Sequence, residues 1–448
     1  MATAVKANLQ PFDWRAQIGS KLVSAEEAVS HIKSGDRVTM SIAQATPFTL
    51  CAALAGRLME LENVVLNHSA SLFNWELPGL GERFRLESFY LSPIGRQLFH
   101  EGQGEFVPLS YYREGTLPPG LQDFNVYVMT VSPPDRNGWV NFGDLQIMSK
   151  LLARNADLVI AEIDPRAVRI CGDNSMHISE IDWIVERTPD ALVVPLKAPP
   201  VPEEERRIVT AICETVAHEL IPDRATIQVG VGSTSGAIIS FLRNHHDLGM
   251  QTEIIPWGTT RLVRDGVMTG KYKKLFPGIV AGSGFAIATP REELEYAEGD
   301  PRFQLYDFNF TDDIRLIARE EGLISVNNGL AIDLTGQAGS ESIGHQMYTG
   351  TGGQTAFGIG SSLAGGKSIL VLPSSAMVKG QRMSRIVPAL APATVLSLPR
   401  TFVHYVVTEY GIATLKAKSI KERARELIAV AHPDFRGTLT AEAKRMYG

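Results

Sequence analysis

With 448 residues, of which 44% are hydrophobic and 21% charged, the chain has an ordinary globular composition and is long enough for two cores rather than one. A formal net charge of -6 leaves no basic footprint for nucleic acid or an anionic membrane surface. Cys51, Cys171 and Cys213 are odd in number and in no Cys-x-x-Cys spacing, which argues against a disulfide framework or a zinc site and fits a reducing, cytoplasmic setting. The opening MATAVKANLQPFDWR lacks the apolar stretch of a signal peptide, and no apolar run approaches the ~18 residues of a membrane span.

Along the chain, apolar bursts of strand length alternate with helical patterns, the order expected of parallel α/β units. In LVSAEEAVSHIKSGDRVTMSIA, Ser24 and Glu27 predict a capping box, Ala28 and Ile32 a helical stripe, and Gly35-Asp36 a turn into the strand RVTMSIA. VYVMTV, ADLVIAEI and ALVVPL read as strands of the same half. LKAPPVPEEERRIV, with Pro199, Pro200 and Pro202 followed by three glutamates, reads as a linker and divides the chain into domains 1–198 and 199–448. Beyond it TIQVGVG, TEII, LISVNN and SILVLP are the predicted strands.

Three glycine clusters carry most of the chemical information. In TIQVGVGSTSGAIISFLRNH an apolar strand runs through Gly230-Val231-Gly232 into a helix opening near Ser233, where backbone N–H groups free of Cβ crowding can meet an anion or a developing oxyanion. A tight strand-to-helix turn with no ligand reads equally well. The spacing G-x-G-x-x-x-G is one residue off the dinucleotide fingerprint. Glu253 stands 21 residues beyond Gly232, near the place of a ribose-binding acid, so a nicotinamide-dependent dehydrogenase is a rival reading at this point.

In MYTGTGGQTAFGIGSSLAGGKSILVLP, Gly350, Gly352 and Gly353 would let a loop approach a ligand closely. GGKS is not a P-loop: Ser361 stands where that motif needs glycine, and Lys367-Ser368 run into a strand rather than a helix. The third cluster, SPPDRNGWVNFGD, is a turn-rich loop that fits plain surface or a cleft wall. His177 and His404 have no second ligand at metal spacing, and no G-x-S-x-G elbow is present. What remains is Glu253 in HDLGMQTEIIPWG. As a strand-end acid it is either solvated or held at the lip of a cleft, where partial desolvation would change its chemistry, and a carboxylate can itself be a nucleophile.

Ten stretches, taken in order, resemble the acetyl-CoA hydrolase/transferase family of class I CoA-transferases. They are SAEEAVSHIKSGDRV, VSPPDRNGWVNFG, ADLVIAEID with HISEIDWIVE, VGVG, LGMQTE, AIDLTGQAGSESIG, YTGTGGQ, MSRIVP and the tail VVTEYGIATLKAKSIKERARELIAVAHPDFR. The resemblance runs from about residue 20 to 437. The dehydrogenase reading explains the first glycine loop and Glu253 alone.

The resemblance implies two tandem open α/β domains with the active site in the cleft between them. It implies that Glu253, in the pair Thr252-Glu253, attacks an acyl-CoA to give an acyl-glutamyl anhydride and then a glutamyl-CoA thioester, from which a second carboxylate takes the CoA. The backbone N–H groups of Val231 and Gly350 would stabilise each oxyanion, at on the order of 3 kcal/mol apiece. Gly230, Val231, Gly232, Ser233, Thr234, Asn327, Gly350, Gly352, Gly353 and Gln354 would hold coenzyme A as substrate, with Lys379 toward its acidic groups. No metal or prosthetic group is required, and the implied partners are an acyl-CoA, a short-chain carboxylate and further copies of the chain in a homo-oligomer. The alternatives are an acyl-CoA hydrolase using the same glutamate and a non-catalytic CoA-binding protein. No dedicated base for water is evident, so transfer is expected over hydrolysis.

Departures from the family pattern concern the substrate. Gln251 stands where many relatives have histidine, IIPWG replaces a polar run, and SIAQATP replaces glycines before the proline. Gln44, Thr46, Gln251 and Trp257 are therefore expected to meet the acyl or carboxylate group. The apolar IIPW predicts a short-chain acid with apolar or branched carbon, each buried methylene being worth about 0.8 kcal/mol.

Overall fold

The computed structural model describes residues 12–109, 116–118, 121–188, 201–232 and 234–448. The chain's opening stretch before residue 12, the expected strand ALVVPL, the 198/199 boundary and Ser233 lie outside the described residues.

Two large sheets organise the molecule. The first holds β1 (Arg37–Met40), β2 (Val64–Asn67), β3 (Phe84–Ser88), β4 (Gly104–Phe106), β5 (Val126–Val131), β6 (Leu158–Ile163) and β7 (Trp183–Glu186), in the order β7-β6-β5-β1-β2-β3-β4. All its pairings are parallel. The second holds β8 (Thr226–Val229), β9 (Gly249–Met250), β10 (Ile324–Asn328), β11 (Lys367–Val371), β12 (Tyr405–Thr408) and β13 (Gly411–Thr414), in the order β9-β8-β10-β11-β12-β13. It is parallel except for the closing β12–β13 hairpin.

Parallel sheets are covered on both faces, so their strands are apolar along their whole length rather than alternately. VYVMTV accordingly buries all six residues of β5, with Val126 and Val128 in one core and Tyr127, Met129 and Val131 in another. The helix α1 (Ala25–Ser30) starts where Ser24 Oγ accepts from Glu27 N at 3.1 Å, one arm of the predicted box.

Three expectations are revised. The acidic part of the predicted linker is helical: α2 (Glu203–Thr215) begins directly after Pro202, because three glutamates in the first turn suit the positive end of a helix dipole. TEII is not a continuous strand, since only Ile254–Ile255 pairs, with Gly284–Phe285, and Thr252-Glu253 occupy the bend before it. The predicted helix near Ser233 is a short 3-10 segment, Ser235–Phe241.

The halves interlock. The strand Cys171–Gly172, from the first half, pairs in parallel with Phe303–Leu305, which pairs in turn with Val280–Gly282. Ile254 and Phe308 of the second half are buried in the same apolar cluster as Phe89, Tyr127 and Leu145 of the first. Among the described residues no helix is long and apolar enough to cross a membrane.

Candidate active site

At the end of β8 the chain leaves the sheet through Gly230-Val231-Gly232, and a polar clamp fixes that exit. Ser235 Oγ donates to the Gly230 carbonyl at 2.6 Å, Asn328 Nδ2 donates to Ser235 Oγ at 2.6 Å, and Ser235 N donates to Asn328 Oδ1 at 3.2 Å. A Cβ on Gly232 would overlap the Asn328 amide and push it out of this clamp. Beneath it, Asn327 and Gln228 exchange two amide hydrogen bonds of 3.0 Å between neighbouring strands.

A second loop, residues 349–353, leads into α3 (Gln354–Leu363). A Cβ on Gly350 would overlap the Phe89 carbonyl oxygen, so this loop lies directly on backbone of the first half. Gly352, at φ +52, takes the left-handed conformation that side chains disfavour. Gly353 has an ordinary φ of -84; contact alone excludes a side chain there, because a Cβ would overlap Glu253 Oε2 and stand 2.7 Å from Asp312 Oδ2.

Glu253 is held between the two loops. Its backbone carbonyl accepts from Ser283 N at 2.7 Å, and the preceding Thr252 is buried with its hydroxyl donating to Ile254 O at 3.1 Å. Burial pushes the Glu253 carboxyl up to about 7, while a Gly353 N–H and Asp312 pull it partly back. At neutral pH a large fraction is therefore ionised yet poorly solvated, the condition in which a carboxylate becomes a competent nucleophile.

Gly230, Val231, Gly232, Asn327, Gly350, Gly352, Gly353 and Gln354 line one cavity of about 210 Å³ together with Glu253. Tyr90 reaches it from the first half, and Ile254 supplies an apolar wall. A second cavity of about 230 Å³ adjoins it through shared Gly232, Asn328 and Ser340, and contains Thr234 and Arg385.

Other expected residues lie elsewhere. Trp257 is exposed outside the cavity and donates its indole N–H to Ile287 O at 3.2 Å, because the short Ile254–Ile255 strand ends in a turn that carries it away. Gln251 is buried with its Oε1 accepting from Lys273 Nζ at 3.4 Å, below the bend rather than in the cavity. Gln44 donates to the Phe285 carbonyl at 2.9 Å and to Asp144 at 3.3 Å, and Thr46 is fully buried between Ala43 O and Leu72 N. Lys379 turns the exposed Ser375–Val378/Gln381–Ser384 hairpin and lines neither cavity.

The two histidines have structural partners: His177 Nε2 bonds Asn137 O at 3.0 Å, and His404 Nδ1 accepts from Ser368 N at 3.3 Å. GGKS runs into β11 as expected, with Lys367 Nζ donating to Leu220 O at 2.6 Å. Three residues of this region escaped the sequence reading. Arg385 stood in MSRIVP, where a lone cation in a family stretch was a usable signal; Tyr90 and Asp312 had none, since nothing in their neighbourhoods marks them as facing Glu253.

Comparison with known proteins identifies the family. The chain matches the acetyl-CoA hydrolase/transferase N-terminal domain over residues 6–196 and the acetyl-CoA hydrolase/transferase C-terminal domain over residues 291–443. It is 34% identical to the 4-hydroxybutyrate coenzyme A transferase of Clostridium kluyveri, over 97% of this chain and 100% of that one. It is 33% identical to the succinyl-CoA:cyclohexane-1-carboxylate CoA transferase of Geobacter metallireducens, over 95% of each. The crystal structure of RipA from Yersinia pestis superposes with a TM-score of 0.84 at 31% identity, covering 97% of this chain and all of the other. Two interlocked α/β halves, two glycine loops facing one half-buried glutamate, and full-length similarity to CoA-transferases place this chain in the acetyl-CoA hydrolase/transferase family.

Proposed function

We propose that the protein is an acyl-CoA:carboxylate CoA-transferase that works through Glu253. The carboxylate attacks the acyl-CoA carbonyl, the C–S bond breaks, and CoA thiolate leaves an acyl-glutamyl anhydride. Thiolate then attacks the glutamyl carbonyl, freeing the first acid and leaving a glutamyl-CoA thioester; a second acid reverses both steps. Each tetrahedral adduct carries an oxyanion, for which the backbone N–H groups of Val231 and Gly350, on opposite glycine loops, are the proposed donors. The observation that carries this reading is the Glu253 carboxyl, pushed up to about 7 by burial and pressed so closely on Gly353 that a Cβ there would displace it.

In this reading the acyl group and the pantetheine end occupy the cavity beside Glu253, and the CoA arm continues past Gly232 into the adjoining cavity, where Arg385 meets anionic groups. Binding energy from those distant parts would help drive the reacting carbonyl onto the nucleophile. The described lining of the first cavity contains Ile254, Val229, Tyr90 and neutral amides but no lysine or arginine. A short acyl group with an uncharged remainder suits such walls, as 4-hydroxybutyrate would, better than a dicarboxylate.

The test is trapping. Incubation with an acyl-CoA followed by borohydride should reduce a glutamyl thioester on the peptide containing Glu253, and reduction at another residue would end the assignment. Initial rates with varied acyl-CoA and carboxylate should give parallel double-reciprocal lines. CoA release indifferent to added carboxylate would make the enzyme a hydrolase.

A further inference from the structure

We propose that Asp312 is the proton-holding partner of the nucleophile: one proton is shared between Asp312 Oδ2 and Glu253 Oε2, and Asp312 retains it while Glu253 is acylated. The role during turnover rests on the reaction proposed above; the sharing of the proton does not.

The geometry leaves this pair little choice. Both oxygens crowd one point, the place a Gly353 Cβ would take. Asp312 is fully buried. Its Oδ1 accepts from Thr311 Oγ1 at 3.0 Å, but its Oδ2 has no donor among the described residues. Thr311 Oγ1 lies 2.8 Å from Ser283 Oγ, and Ser283 N donates to the Glu253 carbonyl, so the two acids are braced toward each other by one connected set of bonds. Two ionised carboxylates in this position would repel at close range in a poorly solvated site, whereas one acid and one carboxylate form a short charge-assisted hydrogen bond.

Among the described residues, the other titratable groups felt by the pair bring no positive charge to it. They are Tyr90 beside Glu253, itself pushed up by burial, and Asp307 beside Asp312, pushed up to about 7. Burial, and then the Glu253 charge, hold Asp312 well above the usual carboxylate range. The pair therefore titrates as a unit, and its singly ionised form takes over as pH rises through about 7.

That form suits both halves of the reaction. When Glu253 attacks, an O–C bond forms and the C–S electron pair departs with CoA thiolate; the proton stays on Asp312, so none is gained or lost. Once Glu253 is a thioester, the Asp312 O–H can donate to the glutamyl carbonyl oxygen alongside the Gly353 N–H. The incoming acid then finds that carbonyl already polarised. Asp312 thus positions Glu253 before acylation and, once the thioester has formed, donates directly to the glutamyl carbonyl, supplementing the Val231 and Gly350 donors.

Two measurements test the proposal. The first is the pH profile of kcat/KM. Wild type should rise through about 7 as Glu253 ionises and fall at higher pH as Asp312 loses its proton, each limb about tenfold per pH unit. Asp312→Asn, which still donates a hydrogen bond but cannot titrate, should keep the rising limb, lose the falling one and stay within about tenfold of wild type; Asp312→Ala should lose about 100-fold. A purely structural role moves neither limb, and a falling limb unchanged in Asp312→Asn overturns the proposal. The second is infrared spectroscopy of the ligand-free protein at pH 8, which needs no catalytic activity and so separates this inference from the proposed reaction. A protonated-carboxyl band should be present in wild type and absent in Asp312→Asn. Should that variant not fold, Glu253→Gln should shift the band by removing its carboxylate partner. Absence of the band from wild type, or a band unmoved by these substitutions, overturns the proposal.

Discussion

The two glycine loops of the candidate site use the same residue for opposite purposes. Gly230-Val231-Gly232 is fixed by its own half, through Asn328 and Ser235, and Gly232 is small so that Asn328 can hold the loop. Gly350 to Gly353 is fixed by its surroundings: Phe89 of the first half at one end, and the Glu253 and Asp312 carboxyls at the other. The first loop is held from behind by its own polar clamp, while the second, anchored to its own half through Thr351 Oγ1 donating to Glu341 Oε2 at 2.9 Å, presses its glycines onto the groups it faces. A glycine in the first protects a loop; a glycine at 353 leaves room for the Glu253 carboxyl.

The largest expected break is therefore Gly353→Ala. Its methyl must displace Glu253 or the start of α3, and a displacement of about 1 Å at a nucleophile costs roughly 100-fold, so single-turnover acylation should fall at least that far with little change in CoA affinity. An alanine variant within threefold of wild type would show that the second loop tolerates what the contact forbids. Gly232→Ala should do the reverse, pushing Asn328 out of its clamp and raising the KM for acyl-CoA about tenfold with a smaller change in kcat, as titration with CoA by calorimetry can check.

A subtler consequence is in stability. Glu253 binds its proton more tightly folded, at about 7, than in the unfolded chain, at about 4.3, so its ionisation opposes folding as pH rises through that window. Glu253→Gln should accordingly match wild type in Tm near pH 4 and exceed it by a few degrees at pH 8. A difference that grows toward acid pH would reverse the sign and remove burial as the cause. The smallest effects belong outside both loops: Trp257→Ser and Lys379→Ala should change the carboxylate profile and the KM for CoA by less than about twofold, because neither side chain lines a cavity.

The contrast also explains what was legible in the sequence. Strands such as VYVMTV and the strand-glycine exit TIQVGVG are visible because a parallel sheet demands apolar runs and a tight exit demands glycine. Glu253 was visible once its motif was set among others. Trp257 and Gln251 stand out in the sequence as departures from the family pattern beside Glu253, but the chain bends at Thr252-Glu253 and turns again after Ile255, so neither side chain lines the cavity. Asp312, in FTDDIR, looks like any surface acid; its burial depends on where Ser283, Thr311 and Gly353 meet, contacts spread over about 70 residues of chain.

The small sheet that joins Cys171–Gly172 to Phe303–Leu305 has a mechanical consequence. A strand donated by one half and stitched by backbone hydrogen bonds into the other acts as a rivet, so the halves cannot swing apart like jaws without tearing it. Gly172, at φ +105 and flush against Leu305, leaves that rivet no slack. A second half produced alone would display the bare edge of Phe303–Leu305, a sticky strand that invites self-association.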